Sequence, residues 1–104
     1  MRNKYNARKV QIDGLTFDSL AEHRRWCELT LLRDGGYIHG LTVHDKFPLY
    51  VNGVLVCHYE ADFVYSENNR MVVEDVKGVT TDAYRLKRAM MRACWGIEIV
   101  EIRA

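Results

Sequence analysis

A run of strand-period sequence from Leu41 to Lys77, punctuated by two turn signals, constrains this chain more than any other feature. Asn52-Gly53 is a two-residue hairpin signal, and it joins a strand over Leu41 to Val51 to another over Val54 to Tyr65. Pro48 lies in the first of these and predicts an edge or irregular strand, because proline donates no ladder bond. A second reversal at Glu67-Asn68-Asn69-Arg70 leads into Met71 to Lys77, which Gly78 terminates. The centre of the chain is therefore an antiparallel meander.

Helical spacing flanks it on both sides. From Asp18 to Arg33, the residues Leu20, Trp26, Leu29 and Leu32 recur near helical spacing, Asp18 or Ser19 can cap the start, and Gly35-Gly36 ends the run. Residues 80 to 94 repeat the pattern with Tyr84, Leu86, Met90, Met91 and Cys94, between a Thr80 or Thr81 cap and Gly96. Ile97 to Ile102 then alternates as a final strand, and a helical crossover from the strand ending at Lys77 makes these two strands parallel. The expected class is α/β (α+β): a mixed central sheet of three antiparallel strands plus a C-terminal strand, flanked by two helices.

With 104 residues the chain holds one modest core, so the expectation is a single domain, 1–104, of which 1–12 is a basic N-terminal arm before a turn at Asp13-Gly14. Its longest apolar stretches, such as Val54 to Cys57, fall far short of the roughly 20 residues of a bilayer span. Met1-Arg2-Asn3-Lys4 leads into polar sequence and not into a signal-type apolar run, so a cytoplasmic protein with no membrane partner is expected. Cys27, Cys57 and Cys94 are odd in number and form no CxxC pair, which predicts buried free thiols and neither a disulfide framework nor a zinc site.

The net charge of +1 hides an uneven distribution. Arg2, Lys4, Arg8 and Lys9 face no acid in the first nine residues, and Arg85, Lys87, Arg88 and Arg92 face only Asp82 in the second helical stretch. Carboxylates crowd the middle at Glu60, Asp62, Glu67, Glu74 and Asp75. Two basic segments around an acidic cluster suit a polyanion held against a cation site, while a solvated tail and helix face is the plainer alternative.

Pairing arithmetic sharpens the acidic cluster. If Asn68-Asn69 closes a two-residue hairpin, Glu67 pairs with Arg70, Asp62 falls opposite Asp75, and Glu60 falls opposite Lys77. Facing carboxylates repel unless something positive lies between them, and a divalent cation would resolve the conflict. Lys77 shares the face of Asp75, whereas Phe63, Tyr65, Val72, Glu74 and Val76 form an apolar opposite face suited to a helix. A register slip of one residue would exchange Asp75 with Glu74.

Asp62, followed after twelve residues by Asp75-Val76-Lys77, resembles the PD-(D/E)xK nuclease signature, with Ala61 where that pattern often has proline. The whole chain also resembles a family of small phage and prophage proteins in that superfamily. The matching segments are Phe17-Asp18-Ser19 with Glu22, Lys46-Phe47-Pro48-Leu49, Ala61 to Tyr65, Val73 to Gly78, and Tyr84 with Leu86-Lys87. His44 stands where the family has a glutamine, a departure that leaves substrate contact there unassigned.

The resemblance implies a restriction-endonuclease-like core and a Mg²⁺- or Mn²⁺-dependent endonuclease that hydrolyses DNA phosphodiester bonds. It also implies branched substrates of the Holliday-junction type, a homodimer, no nucleotide cofactor, and action inside the bacterial host of a phage or prophage. Asp62 and Asp75 would bind the metal, the Val76 carbonyl would complete the protein ligands, and Lys77 would orient or help deprotonate the attacking water. Glu22 would be the helix-borne acid, on a core-facing stripe with Trp26 and Leu29; Ser19-Leu20-Ala21-Glu22 equally matches a capping box. Lys87 would approach the scissile phosphate, with Arg85, Arg88, Arg92, Lys4, Arg8 and Lys9 on the nucleic-acid backbone. The rival is a non-catalytic DNA-binding or phage interaction protein that keeps the nuclease fold; a decayed site would have lost an acid or the lysine, and Glu22, Asp62, Asp75 and Lys77 are all present.

Overall fold

The computed structural model describes residues 10–12 and 14–104. Lys4, Arg8 and Lys9 lie outside the described residues, and residues 10–12, expected as the end of the basic arm, form β1 (Val10–Ile12). This strand pairs antiparallel with β2 (Leu15–Phe17) across a turn in which Gly14 takes φ +79°, a left-handed conformation that favours glycine. Then α1 (Leu20–Asp34) starts from Ser19, whose hydroxyl accepts from the Glu22 N–H at 3.1 Å. Leu29 is buried on its inner face beside half-buried Trp26, but Leu20 and Leu32 are exposed despite their spacing.

Both long strands expected from the sequence are broken. The first divides into β3 (His39–Val43) and β4 (Lys46–Val51), and the second into β5 (Val54–Glu60) and β6 (Phe63–Glu67). The breaks lie side by side: the His44 N–H donates to the Asp62 carbonyl at 3.2 Å, and the Ala61 N–H donates to the Asp45 carbonyl at 2.9 Å. At this paired corner the chain leaves one sheet for another. β3 and β6 stay in a four-stranded sheet with β7 (Arg70–Lys77) and β8 (Val100–Arg103), in the order β3-β6-β7-β8, while β4 and β5 form a two-stranded sheet of their own.

The Asn52-Gly53 hairpin closes as expected, with Val51 opposite Val54. So does the second, from Glu67↔Arg70 to Phe63↔Glu74, but that ladder stops one pair short of Asp62 and Asp75. Glu60 belongs to β5 and pairs with Lys46, so its expected place opposite Lys77 is wrong. β8 runs parallel to β7 after the crossover helix α2 (Asp82–Trp95), which Thr81 caps and Gly96 ends at φ +66°. The fold is α+β with a mixed central sheet and two helices. No helix among the described residues is long and apolar enough to cross a membrane.

Each face of the sheet buries its own cluster. Phe63 and Tyr65, with Val72 and Val76, pack against Phe17, Leu29 and Trp26 on the α1 side. Val64 and Val73 pack against Tyr84 and Met91 of α2, together with Leu49 and Tyr59 from the hairpin. Leu86 points to solvent, and the three cysteines are free thiols of which Cys27 and Cys94 are exposed, so the expectation of buried thiols fails for both.

The register sends Glu74 to the α1 side, where it is 1% exposed and forms a two-point contact with Arg25, Nε to Oε1 at 2.8 Å and Nη2 to Oε2 at 2.7 Å. The Tyr65 hydroxyl also donates to it. This clamp ties α1 to the sheet through a carboxylate taken out of water and a partly exposed arginine. Arg25→Ala strands the carboxylate and is expected to destabilise the fold by about 3–5 kcal/mol, read as a lower urea midpoint.

Candidate active site

Asp75 sits on the opposite side of β7 from Glu74 and is 5% exposed. Its Oδ2 accepts from the Tyr59 hydroxyl at 2.5 Å, and its Oδ1 lies 3.1 Å from Lys77 Nζ. Two residues apart on one strand, Asp75 and Lys77 share a face, which is why their side chains meet. Lys77 Nζ also sits 3.9 Å from the centroid of the Tyr84 ring, a cation–π position that fixes the ammonium from its other side. The Tyr84 hydroxyl donates to Glu101 at 2.6 Å, and Glu101 takes Arg88 at 2.7 Å. Burial and the Asp75 charge push the Tyr59 pKa up, so Tyr59 stays a donor.

Asp62 occupies the corner between the two sheets. Its N–H donates to the Glu74 carbonyl at 3.1 Å, and its Oδ2 accepts from the Val76 N–H at 2.7 Å. The side chain thus continues the ladder where β6 has ended. The Val76 carbonyl leaves β7 on the same edge as its N–H, toward the same corner. Burial, then the negative charges of Asp75 and Glu22, push the Asp62 pKa from 3.8 up to about 7.

Glu22, at 2% exposed, comes to this corner from the first turn of α1. Its Oε2 accepts from the Asp18 N–H at 3.2 Å and its Oε1 lies 2.7 Å from His44 Nε2. Ser19 forms its half of a capping box, but Glu22 reaches one residue past the cap to the Asp18 N–H, and its other oxygen meets His44. Burial raises the Glu22 pKa, against the lowering hydrogen bonds from His44 and Asp18. For His44, burial pulls the pKa down, but the Glu22 hydrogen bond and charge outweigh it and leave it raised. Ligand atoms of Asp18, Glu22 and His44 all lie within 4.8 Å of one another.

Although the side chains whose ligand atoms come within 4.8 Å of one another are those of Asp18, Glu22 and His44, Asp75 and Glu22 both act on Asp62, so three carboxylates and a main-chain carbonyl surround one corner as an oxygen-rich donor set. Its chemistry fits a hard divalent cation such as Mg²⁺ or Mn²⁺. The same crowding yields a prediction for metal-free protein. The folded state holds the Asp62 proton more tightly than the unfolded chain, so its contribution to stability is fully present below 3.8 and is lost as pH rises through about 7. Asp62→Asn keeps an acceptor for the Val76 N–H without the charge. From about pH 4 to about pH 8 in EDTA, wild type is expected to lose up to about 4 kcal/mol relative to Asp62→Asn, measured by urea unfolding.

The basic helix divides in two. Lys87 lines the cleft onto which Asp75, Lys77, Tyr59 and Tyr84 open. The arginines already hold carboxylates: Arg85 takes Asp82 at 2.9 Å, Arg88 takes Glu101, and Arg92 takes both oxygens of Glu98 at 2.8 Å. Such exposed pairs contribute little to stability. Asp18, Tyr59, Tyr84 and His44 were not assigned site roles from the sequence. The signal for His44 was its place just before Lys46-Phe47-Pro48-Leu49; Tyr59 was hidden by the unbroken strand expected through residue 61.

Among known protein families, one whose description reads "Protein of unknown function (DUF1064)" matches residues 2–98, nearly the whole chain, and the chain belongs to that family. No curated protein and no solved structure matches it.

Proposed function

We propose that this member of the DUF1064 family is a Mg²⁺- or Mn²⁺-dependent DNA endonuclease with a restriction-endonuclease-like core, acting on branched DNA in the cytoplasm of a bacterial host. The observation that carries this reading is the arrangement at the end of β7. Asp62 is anchored to the Val76 N–H, while Asp75 and Lys77 meet one residue to either side of Val76. That is the PD-(D/E)xK order of residues gathered at one strand end, with Glu22 close enough to raise the Asp62 pKa.

Asp62, Asp75 and the Val76 carbonyl would hold the cation, with Glu22 as the helix-borne acid. A bound divalent cation supplies Lewis-acid stabilisation of the phosphate and a lower pKa for water. The chain's own groups do the positioning. The Tyr59 hydroxyl holds Asp75 Oδ2 and leaves Oδ1 facing Lys77, and Tyr84 holds the Lys77 ammonium over its ring, so that the lysine is positioned before substrate arrives. That fixed charge is well placed to stabilise the phosphate as negative charge develops on it. Lys87, on the rim of the same cleft, offers a second cation to the phosphate. Contacts of this kind position a nucleic acid without reading its sequence, which favours recognition of DNA shape.

The test is incubation of purified protein with linear, nicked, flapped and four-way DNA in Mg²⁺, Mn²⁺ or EDTA. Metal-dependent cutting, strongest on branched DNA, is the expected result. No cutting of any substrate, together with no calorimetric signal for Mg²⁺ or Mn²⁺ binding, would reject the reading in favour of a non-catalytic interaction protein.

A further inference from the structure

Beyond the corner, the β4–β5 hairpin carries a surface that the hydrolytic reading does not use. From Leu49 to Cys57 its sequence is Leu-Tyr-Val-Asn-Gly-Val-Leu-Val-Cys, without one charged residue. Successive strand residues point to opposite faces. Yet Val54, Leu55 and Val56 are 65%, 47% and 56% exposed, so both faces of the first half of β5 are apolar and wet. Tyr50 and Val51 on β4 and Trp95 at the end of α2 are about half exposed beside them.

The two edges of this ribbon are treated differently. On β4, Pro48 has no N–H to offer, its carbonyl accepts from Trp95 Nε1 at 3.0 Å, and the Tyr50 carbonyl accepts from the Cys94 thiol at 3.2 Å. α2 therefore closes that edge. β5 has β4 as its one ladder partner among the described residues, and its other edge is open. A two-stranded ribbon is marginal in water, and an open apolar edge is a template for another strand.

We propose that the open edge of β5 pairs antiparallel with β5 of a second copy of this chain across a twofold axis, joining two hairpins into one four-stranded sheet. Three features select a second copy over other occupants. A surface without charge meets its own image without like-charge repulsion, and it offers neither a cation to a nucleic acid nor a counter-charge to an acidic or basic protein. An antiparallel strand paired with itself obeys twofold symmetry automatically, because each contact recurs in reverse. Pairing along this edge covers the exposed Val54, Leu55 and Val56 side chains together with the open row of β5 backbone groups.

The nuclease resemblance also implies a homodimer, but the test reads mass and the face that carries it, so it can fail while DNA cleavage stands. Sedimentation of the full chain in reducing buffer, over low to high micromolar concentration, is expected to give twice the 12.2 kDa chain mass. Val54→Lys/Val56→Lys, which charges one exposed face of β5, is expected to halve that mass while keeping the circular dichroism spectrum of the folded chain. Leu31→Lys, on the exposed side of α1, is expected to remain a dimer. Wild type that stays monomeric throughout, or a folded double variant that stays dimeric, overturns the proposal. Should the double variant unfold, hydrogen exchange of wild type at two concentrations decides: protection gained at 54–58 with concentration supports the pairing, and unchanged exchange there refutes it.

Discussion

Asp75→Asn is expected to lower the rate of DNA cleavage more than about a thousandfold while the protein stays folded, because it removes a negative cation ligand without removing shape. The asparagine carbonyl can still accept from the Tyr59 hydroxyl, whose bond to Asp75 Oδ2 spans 2.5 Å. What disappears is the charge that faces Lys77 and opposes Asp62. Rates on four-way DNA in saturating Mg²⁺, beside a circular dichroism spectrum and a urea midpoint, check both halves. Glu74→Gln is the informative partner: it loosens the Arg25 clamp on the other face and is expected to lower stability while leaving substantial cleavage. The reverse pattern, an active Asp75→Asn and a folded but inactive Glu74→Gln, would move the chemistry to the wrong side of β7.

Lys77→Met is expected to cost several orders of magnitude in kcat with little change in DNA affinity. Methionine preserves the aliphatic stem that packs along the strand but not the ammonium lying 3.9 Å from the Tyr84 ring centroid and 3.1 Å from Asp75. A charge that is most useful as the phosphate gains negative charge acts on the transition state, so its loss belongs to kcat. Single-turnover rates at saturating DNA, set beside binding measured in Ca²⁺, separate the two quantities. An equal loss in affinity would make Lys77 an ordinary backbone contact, of the kind assigned to the arginines of α2.

What could be read from the sequence follows from where local chemistry decides the structure. Asn68 and Asn69 both adopt positive φ, 53° and 63°, so the turn length and the β6–β7 register are local properties, and with them the assignment of Glu74 and Asp75 to opposite faces. Ser19, Thr81 and Gly96 mark helix ends for the same reason. The paired corner is different. No glycine or proline announces the break at Ala61-Asp62, because it exists only as a hydrogen-bonded match with a second break at His44-Asp45. Every misplacement near the site descends from it. In an unbroken strand, Tyr59 shares the parity of Phe63 and faces α1; the corner turns it toward Asp75 instead. It also hands Glu60 to Lys46 and brings His44 to Glu22, contacts that connect residues with no periodic relation in sequence.

The corner also partitions the chain's tolerance for changes of length. Residues added or removed at the Asn52-Gly53 tip would lengthen or shorten the hairpin on the far side of the joint, and the backbone bonds between His44 and Asp62 and between Ala61 and Asp45 would hold the near side in place. A single residue inserted between Ala61 and Asp62 would break that match and swing the Asp62 carboxylate off the Val76 N–H. The hairpin is thus free to diverge in reach, and the joint is not.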